Sequence, residues 1–180
     1  MSPTMADLIS DFYRQNEWAT QTLIGACRPL TDQQLDAAAV GTYGSIRNTL
    51  RHIVGAEIGY AIRLGATGMV RIERDDPWPG FDRLAELART TAAALTRLAM
   101  EAADRKVRVD SSERPSDVDG AVILVQMVHH STDHRSQINT ILTTLGIEPP
   151  DLSGWSWGLA DGRVTCGVCG SREHYGVDHL

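Results

Sequence analysis

Apolar residues recur at steps of three and four along four separate stretches of the chain, and this spacing limits the fold more than any other feature. From Ala6 to about Cys27, Leu8, Ile9, Phe12, Trp18, Ala19, Leu23 and Ile24 share one helical face, with Thr4 or Asp7 available to start it and Pro29 to stop it. A second stretch follows Ser45, a good N-cap, and runs through Ile46, Leu50, Ile53, Val54, Ile58 and Ile62 until Gly65 and Gly68. The third starts at Phe81 and repeats Leu84, Leu87, Ala88, Ala92, Leu95, Leu98 and Ala99 in an alanine-rich body of high helix propensity. The fourth begins after Asp117 or Asp119, either of which suits a helix start, and ends at Leu145 and Gly146, before Pro149 and Pro150.

The connections are of a different character. Residues 65–80 are charged and contain Asp-Asp-Pro-Trp-Pro-Gly, a dense cluster of turn signals. Asp104 to Asp119 is polar, with a short extended piece expected at Lys106 to Val109. With no alternating strand pattern and no internal repeat, the expected class is all-α: an antiparallel four-helix bundle over residues 1–152. Residues 153–180, containing Gly, Trp, Cys and His, read as an extension rather than a second domain.

Composition narrows the function. A chain of 180 residues can bury one core without disulfide staples. Its net charge of −6, from 23 acidic and 17 basic residues without a Lys/Arg cluster, argues against nucleic acid and against anionic membranes as partners. The first residues lack a basic start followed by an apolar run, and no apolar stretch approaches the roughly 18 residues of a membrane helix, so a soluble cytoplasmic protein is expected. Three cysteines, an odd number, make a disulfide framework a poor reading, and Cys27 reads as a small buried side chain.

Histidines carry the chemistry. In the fourth stretch Met127, His130, His134, Ile138, Ile141 and Leu145 fall on one line, which sets both imidazoles beside the inward stripe. Imidazoles four residues apart on a helix stand about 6 Å apart, a span that one metal ion can bridge. The same pair also suits half-buried rings that satisfy ordinary hydrogen-bond partners. The Glu that a zinc peptidase places after the first His is absent, which argues against that chemistry. His52, in the second stretch, has Thr49, Ala56 and Gly59 as helical neighbours, a small-residue face open to another helix or a ligand; by spacing alone it reads equally as an exposed or capping residue. His129 points about 100° away from His130 and stays outside the set.

Two blocks resemble a known family. The stretch His130-Ser-Thr-Asp-His134-Arg-Ser-Gln137, followed by Leu145-Gly-Ile and Pro149-Pro150-Asp151-Leu152, is similar to the fourth-helix signature of the DinB/YfiT-like superfamily. Ser45-Ile-Arg-Asn-Thr-Leu-Arg-His52-Ile-Val-Gly-Ala-Glu57 resembles its other characteristic block, and the order and separation of the two agree. Ser136 stands where the family commonly has Gly. The resemblance implies a four-helix bundle, often a homodimer, with His52, His130 and His134 as ligands of zinc, nickel or a related divalent metal. It further implies a small-molecule substrate and a metal-dependent enzyme that activates a low-molecular-weight thiol (mycothiol or bacillithiol) or water, as a thiol S-transferase, isomerase or hydrolase. A metal-binding bundle without turnover is the competing class.

Around such a triad Glu57, Asp133 and Gln137 are candidates for orienting the histidines and for catalysis, since ligating imidazoles usually give their second N–H to a carboxylate or carbonyl. Arg47 and Arg135 are candidates for a substrate or thiol carboxylate, with surface ion pairs as the ordinary alternative. In the extension, Cys166, Cys169, His174 and His179 have the spacing of a zinc knuckle whose last cysteine is exchanged for His. A redox C-x-x-C, or a knuckle-like interaction module, fits the same residues.

Overall fold

A computed structural model of the chain describes residues 4–73, 76–110 and 114–173. The four expected helices are α1 (Met5–Cys27), α3 (Ile46–Arg63), α4 (Phe81–Ala102) and α5 (Gly120–Thr144). Short helices α2 (Asp32–Leu35) and α6 (Gly154–Ala160) and a hairpin of β1 (Lys106–Val109) and β2 (Ser116–Asp119) complete the fold.

Local chemistry sets the helix ends. Thr4 and Asp7 do not compete for the start of α1: the Thr4 hydroxyl accepts from the Asp7 N–H, and the Asp7 carboxylate accepts from the Thr4 N–H. Ser45 caps α3 as expected, its side chain accepting from Asn48 N–H. At the far end of α5, Gly146 takes φ +72°, and Gly146 N–H and Ile147 N–H reach back to the carbonyls of Thr143 and Leu142. Gly65 ends α3 by the same device.

The start of α5 departs from the sequence reading. Asp119 occupies the N-cap position without a side-chain capping bond, because its carboxylate pairs with Lys106 Nζ across the hairpin at 2.7 Å. The extended piece at Lys106–Val109 is present, and it has a partner: Val107 pairs with Val118, and Lys106 with Asp119. Gly120 then enters α5 where the end of α4 passes. A Cβ there would lie 1.9 Å from the Ala102 carbonyl oxygen, which is backbone and cannot rotate away. Gly120→Ala is therefore expected to cost about 1–3 kcal/mol, read as a lower denaturant midpoint at unchanged slope.

The core has two ends. One joins Leu23, Ile24 and Cys27 at the end of α1, Ile46 and Leu50 at the start of α3, Leu84 at the start of α4, and Ile141 at the end of α5. The other joins Tyr13 near the start of α1, Leu64 just past α3, Leu98 and Ala102 late in α4, and Leu124 and Met127 early in α5. Hence α1 and α5 run one way and α3 and α4 the other. Neighbours α1/α4 and α3/α5 are antiparallel, and the long connection over residues 64–80 carries the chain back along the bundle so that α3 and α4 can run together.

The extension is fixed to the bundle over its first half. Helix α6 packs on α1, and the guanidinium groups of Arg14 and Arg163 lie 5.9 and 5.1 Å from the centre of the Trp157 ring. Arg163 also donates to Asp11 of α1 and pairs with Asp161. Among the described residues, no helix is long and apolar enough to cross a membrane.

Candidate metal centre

Helices α3 and α5 bring His52, His130 and His134 together, with one ligand nitrogen from each lying within 4.8 Å of the others. His52 Nε2 and His130 Nε2 are 3.0 Å apart. Two nitrogens bound at about 2.0–2.1 Å to one ion stand roughly 2.9–3.4 Å apart, so this separation already suits a shared metal. The three rings are half-buried and meet at centroid distances of 4.4 to 4.9 Å.

Hydrogen bonding fixes the tautomer of His134. Gln137 Oε1 accepts from the backbone N–H of Tyr43 at 2.9 Å, and a backbone N–H can only donate. The same oxygen lies 3.0 Å from His134 Nδ1, so Nδ1 carries a proton and Nε2 is the nitrogen left to face a metal. Gln137→Leu is expected to lower metal affinity about 10–100-fold with little loss of stability, measured by competition with a chromophoric chelator.

His130 is biased toward its neutral form by its surroundings. Burial and the neighbouring His134 push its pKa below the ordinary imidazole value, against the opposing charge of Asp133. Its Nδ1 is buried without a hydrogen-bond partner. Packing therefore holds this ring, with Tyr60 edge-on at 5.9 Å. A donor set of three imidazoles with converging ring nitrogens fits a borderline divalent ion such as zinc or nickel.

Tyr43 is a site residue that helical spacing did not reveal. Its ring stacks on His52 at 4.0 Å with a 12° interplanar angle and meets His134 edge-on at 5.1 Å. It lies before Ser45, outside any helix, where periodicity carries no signal. Beside it opens a cleft of about 420 Å³ lined by Asn48, Arg51, His52, Ala56, Ile72 and Glu73. The small-residue face of α3 makes this room: a Cβ on Gly55 would already press on the Ile72 carbonyl oxygen at 3.3 Å.

Other candidates lie apart from the triad. Glu57 is 1% exposed and accepts hydrogen bonds from Asn16 Nδ2 and Ser131 Oγ, none from a histidine. Arg135 is 3% exposed; it donates to Asn16 Oδ1 and Thr20 Oγ1, both at 2.9 Å. The reason is angular: α5 packs on α1 as well as α3, so Arg135 reaches Asn16 and Thr20 of α1 and Ser131 meets Glu57 in the buried interior, while His130 and His134 turn toward His52 of α3. Arg47 is held by Asp32 and Asp36 at 2.8 Å and lies over Trp78, which ties α2 to α3. Asp133 pairs with His129 on the exposed side of α5. Cys166 is buried and Cys169 exposed; His174 and His179 lie outside the described residues.

A four-helix bundle with three imidazoles converging from two facing helices defines a class of helical proteins equipped for a divalent metal. The chain belongs to the DinB family, whose profile matches residues 1–157. Among solved structures it is similar to a DinB-like protein from Bacillus cereus, at 18% identity and a TM-score of 0.59, over 77% of this chain and 91% of that one. That likeness supports the shared fold. No curated protein matches.

Proposed function

We propose that this protein is a metal-dependent enzyme in which His52, His130 and His134 hold one zinc or nickel ion that activates a low-molecular-weight thiol or a water molecule. The observation that carries this reading is the cleft beside His52 and Tyr43, which gives a small molecule an approach to the triad from the His52 side. A structural metal site is closed by four protein ligands, whereas three ligands and an approach path are the arrangement catalytic sites keep. When bound, the ion would lower the pKa of a thiol or water so that a nucleophile exists at neutral pH.

The chain's own residues have simpler tasks. Gln137 holds the proton on His134 Nδ1, Tyr43 covers one face of His52, and Arg51 and Asn48 offer polar groups at the cleft mouth for a substrate. S-transfer or isomerisation with mycothiol or bacillithiol is the leading reaction type. A homodimer in the cytoplasm belongs to the same proposal.

The test is a screen of metal-loaded protein with these thiols and electrophilic acceptors. Turnover that needs the metal and falls at least 100-fold in His134→Ala supports an enzyme. Stoichiometric metal without turnover across the screen favours a metal-binding bundle.

A further inference from the structure

Tyr43 is joined to two of the three histidines by two separate routes. Its backbone N–H donates to Gln137 Oε1 at 2.9 Å, and the same oxygen accepts from His134 Nδ1 at 3.0 Å. Its ring stacks on His52 at 4.0 Å and 12°, with His134 edge-on at 5.1 Å. Core packing does not account for this placement: the residue is 45% exposed and belongs to neither end of the apolar core. Its hydroxyl makes no hydrogen bond among the described residues.

The turn that presents Tyr43 is braced from within. Thr42 Oγ1 and Thr42 N–H both donate to the Ala39 carbonyl, at 2.8 and 3.2 Å, next to Gly41 at φ +84°. At its far end Ile46 N–H donates to the Ala37 carbonyl at 3.1 Å, which ties the turn to the start of α3. Tyr43 therefore approaches the site from a firm base.

His52 lacks such support on its own helix. The residues one turn on, whose side chains lean back toward it, are Gly55 and Ala56, and with His52 they line the cleft of about 420 Å³. An imidazole beside open space can leave the rotamer that faces His130, and recovering that rotamer weakens binding of an ion. The stacked ring is the obstacle to that motion.

We propose that Tyr43 is a positioning residue of the metal centre. Its ring holds the His52 imidazole where it meets His130 and His134, and its backbone N–H holds His134 through Gln137. This inference rests on the reading of the triad as a metal site. One residue, in a loop outside both helices, thus places one ligand on α3 and one on α5. The face of the ring carries the effect on His52, and the hydroxyl has no part in it.

Tyr43→Ala separates the two routes, because it removes the stack and keeps the N–H. In metal-free full-length protein the His52 ring protons should resonate upfield, shifted by the Tyr43 ring current. Tyr43→Phe should preserve that shift and Tyr43→Ala should abolish it. Zinc affinity, read by competition with a chromophoric chelator in Cys166→Ser/Cys169→Ser protein, should fall about tenfold in Tyr43→Ala and stay near the parent value in Tyr43→Phe. The urea midpoint of metal-free Tyr43→Ala should stay close to wild type, since nearly half of the residue is exposed. Unchanged zinc affinity in Tyr43→Ala, or an equal loss in Tyr43→Phe, would overturn the assignment. Turnover enters none of these readouts, so absence of activity sinks the proposed enzyme and leaves the role of Tyr43 standing. Parent protein that binds no zinc sinks both.

Discussion

Replacing Arg135 by methionine is expected to lower the free energy of unfolding by about 3–5 kcal/mol, a large share of what a domain of this size possesses. The volume is nearly conserved, so the loss is electrostatic. Arg135 Nη1 donates to Asn16 Oδ1, while Asn16 Nδ2 donates to Glu57 Oε1, so one amide connects a buried cation with a buried carboxylate. Removing the guanidinium strands Asn16 and Thr20 acceptors and leaves Glu57 without a compensating charge.

Burial is the largest influence on both groups. It raises the pKa of Glu57 and lowers that of Arg135, and each charge opposes the effect on the other. Glu57 in the folded protein therefore binds its proton more tightly than in the unfolded chain. Stability should fall as pH rises from about the unfolded carboxylate value of 4.5 through the higher folded value. Glu57→Gln keeps the acceptor for Asn16 and Ser131, should remove that slope, and should recover part of the loss in the Arg135→Met background. Urea unfolding of the four variants across pH provides the measurement. A loss below about 1 kcal/mol for Arg135→Met would show that the network contributes little.

His130→Ala should reduce metal affinity at the triad by more than the 10–100-fold that loss of an orienting hydrogen bond costs, because a ligand itself is gone. His130 lies 3.0 Å from His52 and on the same helical face as His134, so it is the ring through which the two helices meet. Its lowered pKa keeps it neutral further into acid than an ordinary imidazole, and it competes less with protons for the ion. In metal-free protein the sign is the usual one for a depressed group: its contribution to stability is present above the unfolded value and is lost as pH falls through the folded one. Equilibrium dialysis with zinc, using Cys166→Ser/Cys169→Ser protein to remove the two thiols of the extension, isolates the triad. Retention of wild-type affinity would exclude His130 as a ligand.

Much of this molecule was legible because its long helices bury one face. The stripes of Leu84, Ala88, Leu95 and Ala99, or of Ile46, Leu50, Ile53 and Ile58, require a helix whatever packs on them. Helices α2 and α6 are too short for a period to repeat, and β2 is a polar strand whose order comes from pairing with β1. Leu145, placed on the inward line by spacing, is 37% exposed because it is the C-cap residue where α5 ends.

Spacing along α5 was sufficient to set His130 and His134 on one face, since four residues bring a helix nearly full circle. It was insufficient for His52, which reaches them only because α3 and α5 pack antiparallel at matching height. Sequence order likewise left Arg135, next to His134, as a plausible ligand-binding group. One residue along a helix is a turn of about 100°, and the presence of α1 on that side made Arg135 a buried structural cation instead. The sequence by itself determined the long helices, the caps of α1 and α3 and the paired imidazoles, all properties of neighbours along the chain. Tertiary structure alone decided the third histidine, the Tyr43 cover and the Glu57–Asn16–Arg135 core, because each depends on which helices meet.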